Sequence, residues 1–296
     1  MRARQLPRTP GMRPRLRKSG KKPIVATMRA APGKRRSVSE VDRIQLEGIH
    51  LAFGTRPVYR ALDCRFPRGQ ISVLMGGSGA GKSTLLRLMA GLIRPDQGRI
   101  VIAGEDITTL SERDLFRVRE RIGMLFQGGA LLDAMTVFDN VALPLREHSK
   151  LSEADIRAEV ERRLAAVGLP DTGGLMPREL SGGMLRRAAL ARAIVTDPEI
   201  VLCDEPFSGL DPLNVRRIEA LLIELNRRLG LTLIVTSHHL PSSLRMASQL
   251  VFLIDGGAVV GTPQELLASE DTRVREFLEA ETAGMPGFQA VPEVAS

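Results

Sequence analysis

The chain has 296 residues, of which 43% are hydrophobic and 26% charged, proportions typical of a globular protein and not of a fibrous or low-complexity one. Its apolar runs fall far short of the ~20 residues that a membrane-spanning helix needs, and no apolar stretch of a secretory signal follows the basic start. We therefore expect any membrane role to depend on a partner.

The net charge of +8 is unevenly distributed along the chain. Residues 1–36 hold 13 Lys or Arg and no acid, which leaves −5 for the remainder. This composition predicts a basic disordered tail over residues 1–38. The tail is either a solvated or misassigned start, with Met12 or Met28 as the initiator, or a contact for anionic lipid or nucleic acid. Nucleic acid is the weakest of these, because the tail has no aromatic residue for stacking.

Strand and helix patterns alternate from about residue 39 onward. Apolar patterns and turn residues predict strands at 44–53, 58–66, 70–75, 99–102, 122–126, 200–203, 231–236, 250–254 and 258–260. Helical periodicity and capping signals predict helices at 82–90, 112–120, 152–167, 213–229 and 271–280. Such alternation is typical of a parallel, doubly wound α/β sheet. We predict one domain over 39–283, with an antiparallel β subdomain at its start, a helical insert at about 128–187 and a C-terminal tail at 284–296.

The strongest motif is Gly76-Gly77-Ser78-Gly79-Ala80-Gly81-Lys82-Ser83, which fits the phosphate-binding P-loop and lies between a predicted strand and a predicted helix. Glycines let the backbone turn tightly, so that its N–H groups and the helix N-terminus face phosphate. In such a loop Lys82 reaches the β- and γ-phosphates and the Ser83 hydroxyl contacts Mg²⁺. The motif therefore predicts ATP and Mg²⁺ as ligands.

A second motif is the pair Asp204-Glu205 at the end of the apolar segment Ile200–Cys203. Ligands of open α/β sheets bind at the carboxyl ends of the strands. Two adjacent acids there can serve two purposes, with Asp204 holding Mg²⁺ and Glu205 orienting or deprotonating the attacking water.

A third motif is Ser181-Gly182-Gly183 at the start of a predicted helix, which forms a second anion cradle. One nucleotide does not need two cradles on one chain. We therefore expect each cradle to complete a site on another copy, in a head-to-tail dimer with two-fold symmetry.

Together, the P-loop, Leu180-Ser181-Gly182-Gly183, Asp204-Glu205 and the downstream His238 resemble the nucleotide-binding domain of ABC transporters. The resemblance covers about residues 43–270 and implies an ATPase whose nucleotide site spans Gly76 to Thr84. It further implies four roles: Phe53 stacks on adenine, Gln127 senses Mg²⁺, Asp211 belongs to a loop at the dimer interface, and His238 contacts the γ-phosphate. Gln127 and His238 thereby join Lys82 and Glu205 among the expected catalytic residues.

Three positions depart from the family's commonest pattern. Met184 replaces a Gln, Gly77 stands where Pro is frequent, and His239 stands where Asp often follows the histidine. None of the three removes a phosphate ligand, a metal ligand or the base, so an active enzyme is expected.

Several stretches resemble a narrower group, the ATPase subunits of Mla-type phospholipid transport systems. They are 124–132, which begins Met124-Leu125-Phe126-Gln127, then 135–148, 180–184, 188–194 and 273–278, and Met184 is itself similar to that group. The resemblance implies a membrane permease and an MCE-domain lipid-binding protein as partners, and a peripheral position at the cytoplasmic face of the inner membrane. Nothing in these residues reads lipid chemistry.

Two alternatives stay open at this point. The chain could energise a different ABC transporter, such as a solute importer or a division-linked complex. It could also be a free-standing ATPase that acts on nucleic acid through the basic tail, although no nucleic acid partner is expected, because the chain has neither a second cassette nor a long coiled coil.

Overall fold

The computed structural model describes residues 42–282. The predicted tails at 1–38 and 284–296, and the two alternative start methionines, lie outside these residues. The described chain forms two sheets and a set of helices, and none of those helices is both long and apolar enough to cross a membrane.

A four-stranded antiparallel sheet opens the described chain. Its strands are β1 Asp42–Phe53, β2 Arg56–Pro67, β4 Gln97–Ile102 and β5 Glu105–Asp106, in the order β2-β1-β4-β5. A tight turn joins β1 to β2, and Gly54 adopts a φ of 60° within it. The predicted antiparallel pairing at the start of the chain is confirmed.

The second sheet has six strands in the order β10-β9-β3-β8-β7-β6. Its strands are β3 Ile71–Met75, β6 Ile122–Leu125, β7 Ile200–Cys203, β8 Thr232–Thr236, β9 Gln249–Ile254 and β10 Gly257–Gly261. All neighbours are parallel except β9 and β10, which form an antiparallel hairpin. The sequence predicted this parallel sheet and its final β pair.

Helices fill the connections between the strands. They are α1 Lys82–Met89, α2 Glu112–Arg119, α3 Val137–His148, α4 Glu153–Ala166, α5 Gly182–Ile194, α6 Pro212–Leu229, α7 Leu240–Met246, α8 Pro263–Leu267 and α9 Thr272–Thr282. Helices α3 to α5 follow one another between β6 and β7. The hydroxyl of Ser152 accepts a hydrogen bond from the Asp155 amide and caps α4, as its sequence position predicted.

The parallel sheet is buried on both faces. Along β3, Val73 and Met75 join one apolar cluster, which includes residues of α3 to α7, while Leu74 joins another, which lies against the antiparallel sheet and α1. Successive side chains of a strand point to opposite faces, so a continuous apolar run is expected where both faces are covered. The thiols of Cys64 and Cys203 are buried within these clusters, and burial raises both pKa values to about 12.

Candidate functional site

The P-loop connects the end of β3 to the start of α1. Gly76, Gly79 and Gly81 have φ angles of 148°, 78° and 99°, in the region that L side chains rarely adopt. A Cβ at Gly76 would also lie 2.7 Å from the carbonyl oxygen of Leu253 on β9. The loop can therefore follow this path only with glycine at these positions.

Lys82 opens α1, and its side chain folds back over the P-loop. Its Nζ donates to the carbonyl oxygen of Gly76 at 2.9 Å and to that of Gly77 at 3.3 Å. Burial lowers the pKa of this ammonium, while the nearby carboxylates of Glu205 and Asp204 act in the opposite direction. The lysine charge is thus held inside the loop that the motif assigns to phosphate.

Asp204 lies behind the loop and is 8% exposed. Its Oδ1 accepts hydrogen bonds from Ser83 Oγ at 2.9 Å and from Thr236 Oγ1 at 2.7 Å. The same Thr236 hydroxyl accepts from the Glu205 backbone N–H at 2.8 Å. These bonds link the P-loop to the carboxyl ends of β7 and β8.

Glu205 follows Asp204 in a left-handed backbone conformation, with a φ of 47°. Its Oε1 lies 3.3 Å from Nε2 of His238, which follows β8, and makes no hydrogen bond within the described part of the chain. Burial raises the pKa of this carboxyl, although His238 and Lys82 partly offset the effect. A buried acceptor without a partner is costly in a folded protein and is a common feature of reactive groups.

Lys82, Glu205 and His238 face a cleft of about 750 Å³, whereas Asp204 does not line it. The predicted site residues that line it are Phe53, Ser78, Gly79, Gly81, Lys82, Ser83, Thr84, Gln127, Glu205 and His238. Phe53 stands at the end of β1 with 57% of its surface exposed, so one face of the ring is open to a planar ligand.

The cleft has further lining residues to which the sequence assigned no role in the site. They are Arg56, Val58, Phe207, Ser208, Leu210, Pro212, Val215, Ser237 and His239. Most of them lie within five positions of a predicted residue along the chain. Arg56 and Val58 come shortly after Phe53, and Ser237 directly precedes His238. Their proximity to predicted residues along the chain was the only sequence signal that could have placed them in the cleft. His239 uses Nδ1 to accept from the Ser242 amide at 3.2 Å, and burial lowers its pKa, so the neutral imidazole is favoured.

The remaining predicted residues do not line this cleft. Ser181 caps α5 by accepting from the Met184 amide, and Asp211 caps α6 by accepting from the amides of Leu213 and Asn214. Gly182 and Gly183 begin α5, and a Cβ at Gly183 would lie 2.6 Å from Asn214 Oδ1. The second cradle is therefore a separate feature of the surface, packed against the start of α6. Gly76, Gly77 and Ala80 belong to the P-loop itself without facing the cleft.

Comparison with protein families identifies the chain. The ABC transporter family model matches residues 59–208, which include the P-loop, Ser181 to Gly183 and Asp204-Glu205. The chain belongs to the ABC transporter family. The described fold is accordingly the ABC-type ATPase fold, as the sequence predicted.

Among curated ABC proteins, the chain is similar to the intermembrane phospholipid transport system ATP-binding protein MlaF of Haemophilus influenzae. The two are 46% identical over 247 residues, which are 83% of this chain and 94% of MlaF. It is also 39% identical over 254 residues to the probable ribonucleotide transport ATP-binding protein mkl of Mycobacterium tuberculosis, which covers 86% of this chain and 71% of mkl. The first similarity confirms the resemblance to the Mla-type group.

A solved structure supports the same assignment. The ATP-binding cassette MJ0796, determined as a dimer in a post-hydrolysis state bound to ADP and Pi, superposes with a TM-score of 0.69 at 28% identity. The match covers 74% of this chain and 98% of that chain.

The donor groups of this ABC site suit Mg²⁺. Ser83 and Asp204 present a hydroxyl and a carboxylate oxygen within 2.9 Å of each other, and Gln127 adds an amide on the cleft wall. Within residues 42–282, no group of three or more His, Cys, Asp or Glu side chains forms a dedicated metal cage. Mg²⁺ bound with nucleotides typically uses one or two protein oxygens together with phosphates and water, so the residues present fit that ion.

Proposed function

We propose that this chain is the ATP-hydrolysing subunit of an ABC transporter that moves phospholipid between the membranes of a bacterial cell envelope. The observation that carries the proposal is the similarity to MlaF, which extends over nearly the whole of that protein. The P-loop, Asp204 and Glu205 retain every side chain that the hydrolysis of ATP requires.

Nucleotide binding uses the cleft between the antiparallel sheet and the P-loop. The open ring of Phe53 stacks on adenine, the backbone of Gly76 to Thr84 surrounds the phosphates, and Lys82 contributes positive charge. Ser83, Asp204 and Gln127 are the residues that would hold Mg²⁺. The bound ion neutralises charge on the phosphates.

Hydrolysis relies on the two side chains that follow β7 and β8. The ionised carboxylate of Glu205 orients the attacking water and accepts its proton, and its unpartnered Oε1 is available for this purpose. His238, 3.3 Å from that carboxylate, contacts the γ-phosphate. Each group lies two residues beyond the end of its strand, so the register of the two neighbouring strands brings them together.

Two chains are needed for a complete site. Ser181, Gly182 and Gly183 of one copy cap the phosphates that the P-loop of the other copy binds, and Asp211 lies at the interface between the copies. The separation of the two cradles on a single chain supports this arrangement, as does the dimeric state of the related cassette. ATP then closes the dimer, and hydrolysis reopens it because the γ-phosphate charge is lost.

The partners follow from the same similarity. A membrane permease provides the lipid path and an MCE-domain protein accepts or delivers lipid, while the chain itself is peripheral at the cytoplasmic face of the inner membrane. We expect no nucleic acid among the partners of this chain. The similarity to mkl, whose name refers to ribonucleotide transport, supports a second candidate, the ATPase subunit of a different ABC transporter.

The test is affinity purification from native membranes with the full chain carrying Glu205→Gln, which slows hydrolysis and holds ATP-bound complexes together. Glu270→Gln is the matched control, because Glu270 is an exposed glutamate outside the cleft. We expect mass spectrometry to find a permease, an MCE-domain protein and phospholipid, enriched with Glu205→Gln over the control.

A second measurement uses the purified complex. At saturating ATP, its ATPase rate should rise when phospholipid vesicles are added and should not rise when other ribonucleotides are added. A permease without an MCE-domain protein or lipid would favour the second candidate, and nucleic acid without any membrane protein would contradict the transporter function.

A further inference from the structure

The carbonyl oxygen of Gly81, the last residue before α1, accepts a hydrogen bond from a buried tyrosine. Tyr59 on β2 donates from its hydroxyl to this oxygen at 2.6 Å and is 1% exposed. It is the only tyrosine of the chain. The contact joins the antiparallel sheet to the P-loop across 22 positions of sequence.

The side chains of Tyr59 and Val58 pack so closely against Gly81 that no larger residue fits there. A Cβ on Gly81 would lie 2.7 Å from the Tyr59 hydroxyl and 2.8 Å from Cγ1 of Val58. The strand that carries Tyr59 is itself held on both sides, since Tyr59 pairs with Leu51 on β1 and the next amide, that of Arg60, donates to the carbonyl of Gly256 at 2.9 Å. The hydroxyl therefore approaches the loop from a rigid position.

The geometry of the peptide bond gives this contact a consequence. A trans peptide is planar, and its C=O and N–H point in opposite directions. When the Gly81 carbonyl is held by Tyr59 and by the Leu85 amide at 2.8 Å, the N–H of Lys82 is fixed on the opposite side. That N–H belongs to the first turn of α1, whose amides have no partner within the helix and are the donors an anion meets there.

We propose that Tyr59 is a positioning residue of the nucleotide site, which aims the Lys82 backbone N–H at the phosphates by holding the Gly81 carbonyl. This inference rests on the proposed binding of ATP at the P-loop. Tyr59 contributes to phosphate affinity and takes no part in the hydrolytic step, because Glu205 and His238 lie just beyond the ends of β7 and β8 and do not contact Gly81 through Tyr59.

The test substitutes Tyr59→Phe, which removes the hydroxyl and keeps the ring, in the full chain. The control is Thr232→Val. This substitution also removes a hydroxyl that bonds the backbone, since Thr232 Oγ1 accepts from the Gly69 amide at 2.9 Å, but it lies at the opposite end of the parallel sheet from the P-loop. ATP binding by calorimetry and the kinetic constants of ATP hydrolysis are measured for both variants. Hydrogen exchange of a peptide that spans residues 76–85 is measured without nucleotide.

We expect Tyr59→Phe to raise the Kd and KM for ATP about fivefold, a change that matches the usual net free-energy contribution of one hydrogen bond, and to leave kcat unchanged. Exchange in the peptide should become faster. Thr232→Val should change none of these quantities. Equal Kd and KM in wild type and Tyr59→Phe, or an equal change in both variants, would overturn the proposal. If the wild-type chain fails to bind ATP, the proposed function itself is wrong.

Discussion

The carboxylate of Glu205 lies 3.3 Å from the imidazole of His238, although the two residues are 33 positions apart. The register of the parallel sheet brings them together, because β7 and β8 pair Cys203 with Val235 and both side chains follow just after this pair. Strand pairing therefore brings the two proposed hydrolytic groups together, and the proposal can be probed through the protonation of Glu205.

Replacement of Glu205 by Gln should slow hydrolysis strongly and stabilise the protein at neutral pH. Hydrolysis falls ~10²–10⁴-fold, the usual contribution of a general base. Burial raises the pKa of Glu205 in the folded state above its unfolded value of about 4.3. The folded state thus binds the proton more tightly, and the carboxyl lowers stability as the pH rises through the folded pKa.

Chemical unfolding at pH 8 and at pH 4 measures this effect. Glu205→Gln should be more stable than wild type at pH 8, and the difference should vanish near pH 4, where the carboxyl is largely protonated in both states. Glu270→Gln should match wild type at both values. An equal gain at both pH values would show that the stabilisation does not arise from ionisation.

Ser83→Ala should weaken the dependence of hydrolysis on Mg²⁺ without removing nucleotide affinity. The variant loses a proposed metal ligand together with the 2.9 Å bond to Asp204. We expect the Mg²⁺ concentration for half-maximal activity to rise about 10- to 100-fold, as happens when a metal site loses such support. ATP binding in the presence of a chelator should stay as in wild type. Ser111→Ala, which removes only the cap of α2, should leave the Mg²⁺ titration unchanged.

The sequence predicted the P-loop correctly because its elements are local: four glycines, a lysine and a hydroxyl between an apolar run and a helical pattern. Contacts between distant residues could not be read in this way. Thr236, which bonds both Asp204 and the Glu205 amide, appeared in the sequence only as the last residue of the strand predicted at 231–236. Its role depends on the strand register, which no local pattern specifies. The contact between Tyr59 and Gly81 escaped prediction for the same reason.

The short helices α7 and α8 were also missed. Each begins with a proline in its first turn, a good start signal, but with five to seven residues each is too short to show helical periodicity. Helix α7 is instead fixed by a buried polar cluster in which Glu219 accepts from Ser242 at 2.7 Å and from Arg245 at 2.6 Å. These partners lie more than 20 positions from Glu219 along the chain.

Arg192→Met should destabilise the fold by about 2 kcal/mol, the cost of leaving backbone acceptors without their charged donor. The Arg192 guanidinium on α5 donates to the carbonyls of Gly129 at 3.0 Å and Ala130 at 2.8 Å, two residues with left-handed backbone that follow Gln127. Urea unfolding gives the measurement. Arg228→Met, which breaks an exposed ion pair with Glu224, should cost less than about 1 kcal/mol. A loss of unfolding free energy no larger for Arg192→Met than for Arg228→Met would show that the contacts at Gly129 and Ala130 stabilise the fold no more than an exposed ion pair does.

Mixing two inactive variants should restore activity if the dimer is head-to-tail. Chains with Lys82→Ala lack a working P-loop, and chains with Ser181→Arg lack a working cap, so neither homodimer hydrolyses ATP. In a mixed dimer, the intact P-loop of the second chain meets the intact Ser181 of the first, which leaves one complete site. With random pairing at equal amounts, about a quarter of all sites are complete, and the rate should recover to about a quarter of wild type.

The matched control mixes Lys82→Ala with Glu205→Gln chains. Both defects lie on the same side of the site, so every site in the mixed dimer carries one of them and no recovery is expected. Recovery in the Ser181 mixture alone would establish that Ser181 acts on the partner's nucleotide. Absence of recovery in both mixtures, with mixed dimers shown by native mass spectrometry, would mean that each chain builds its site alone, because a mixed dimer would then contain one defective site of each kind.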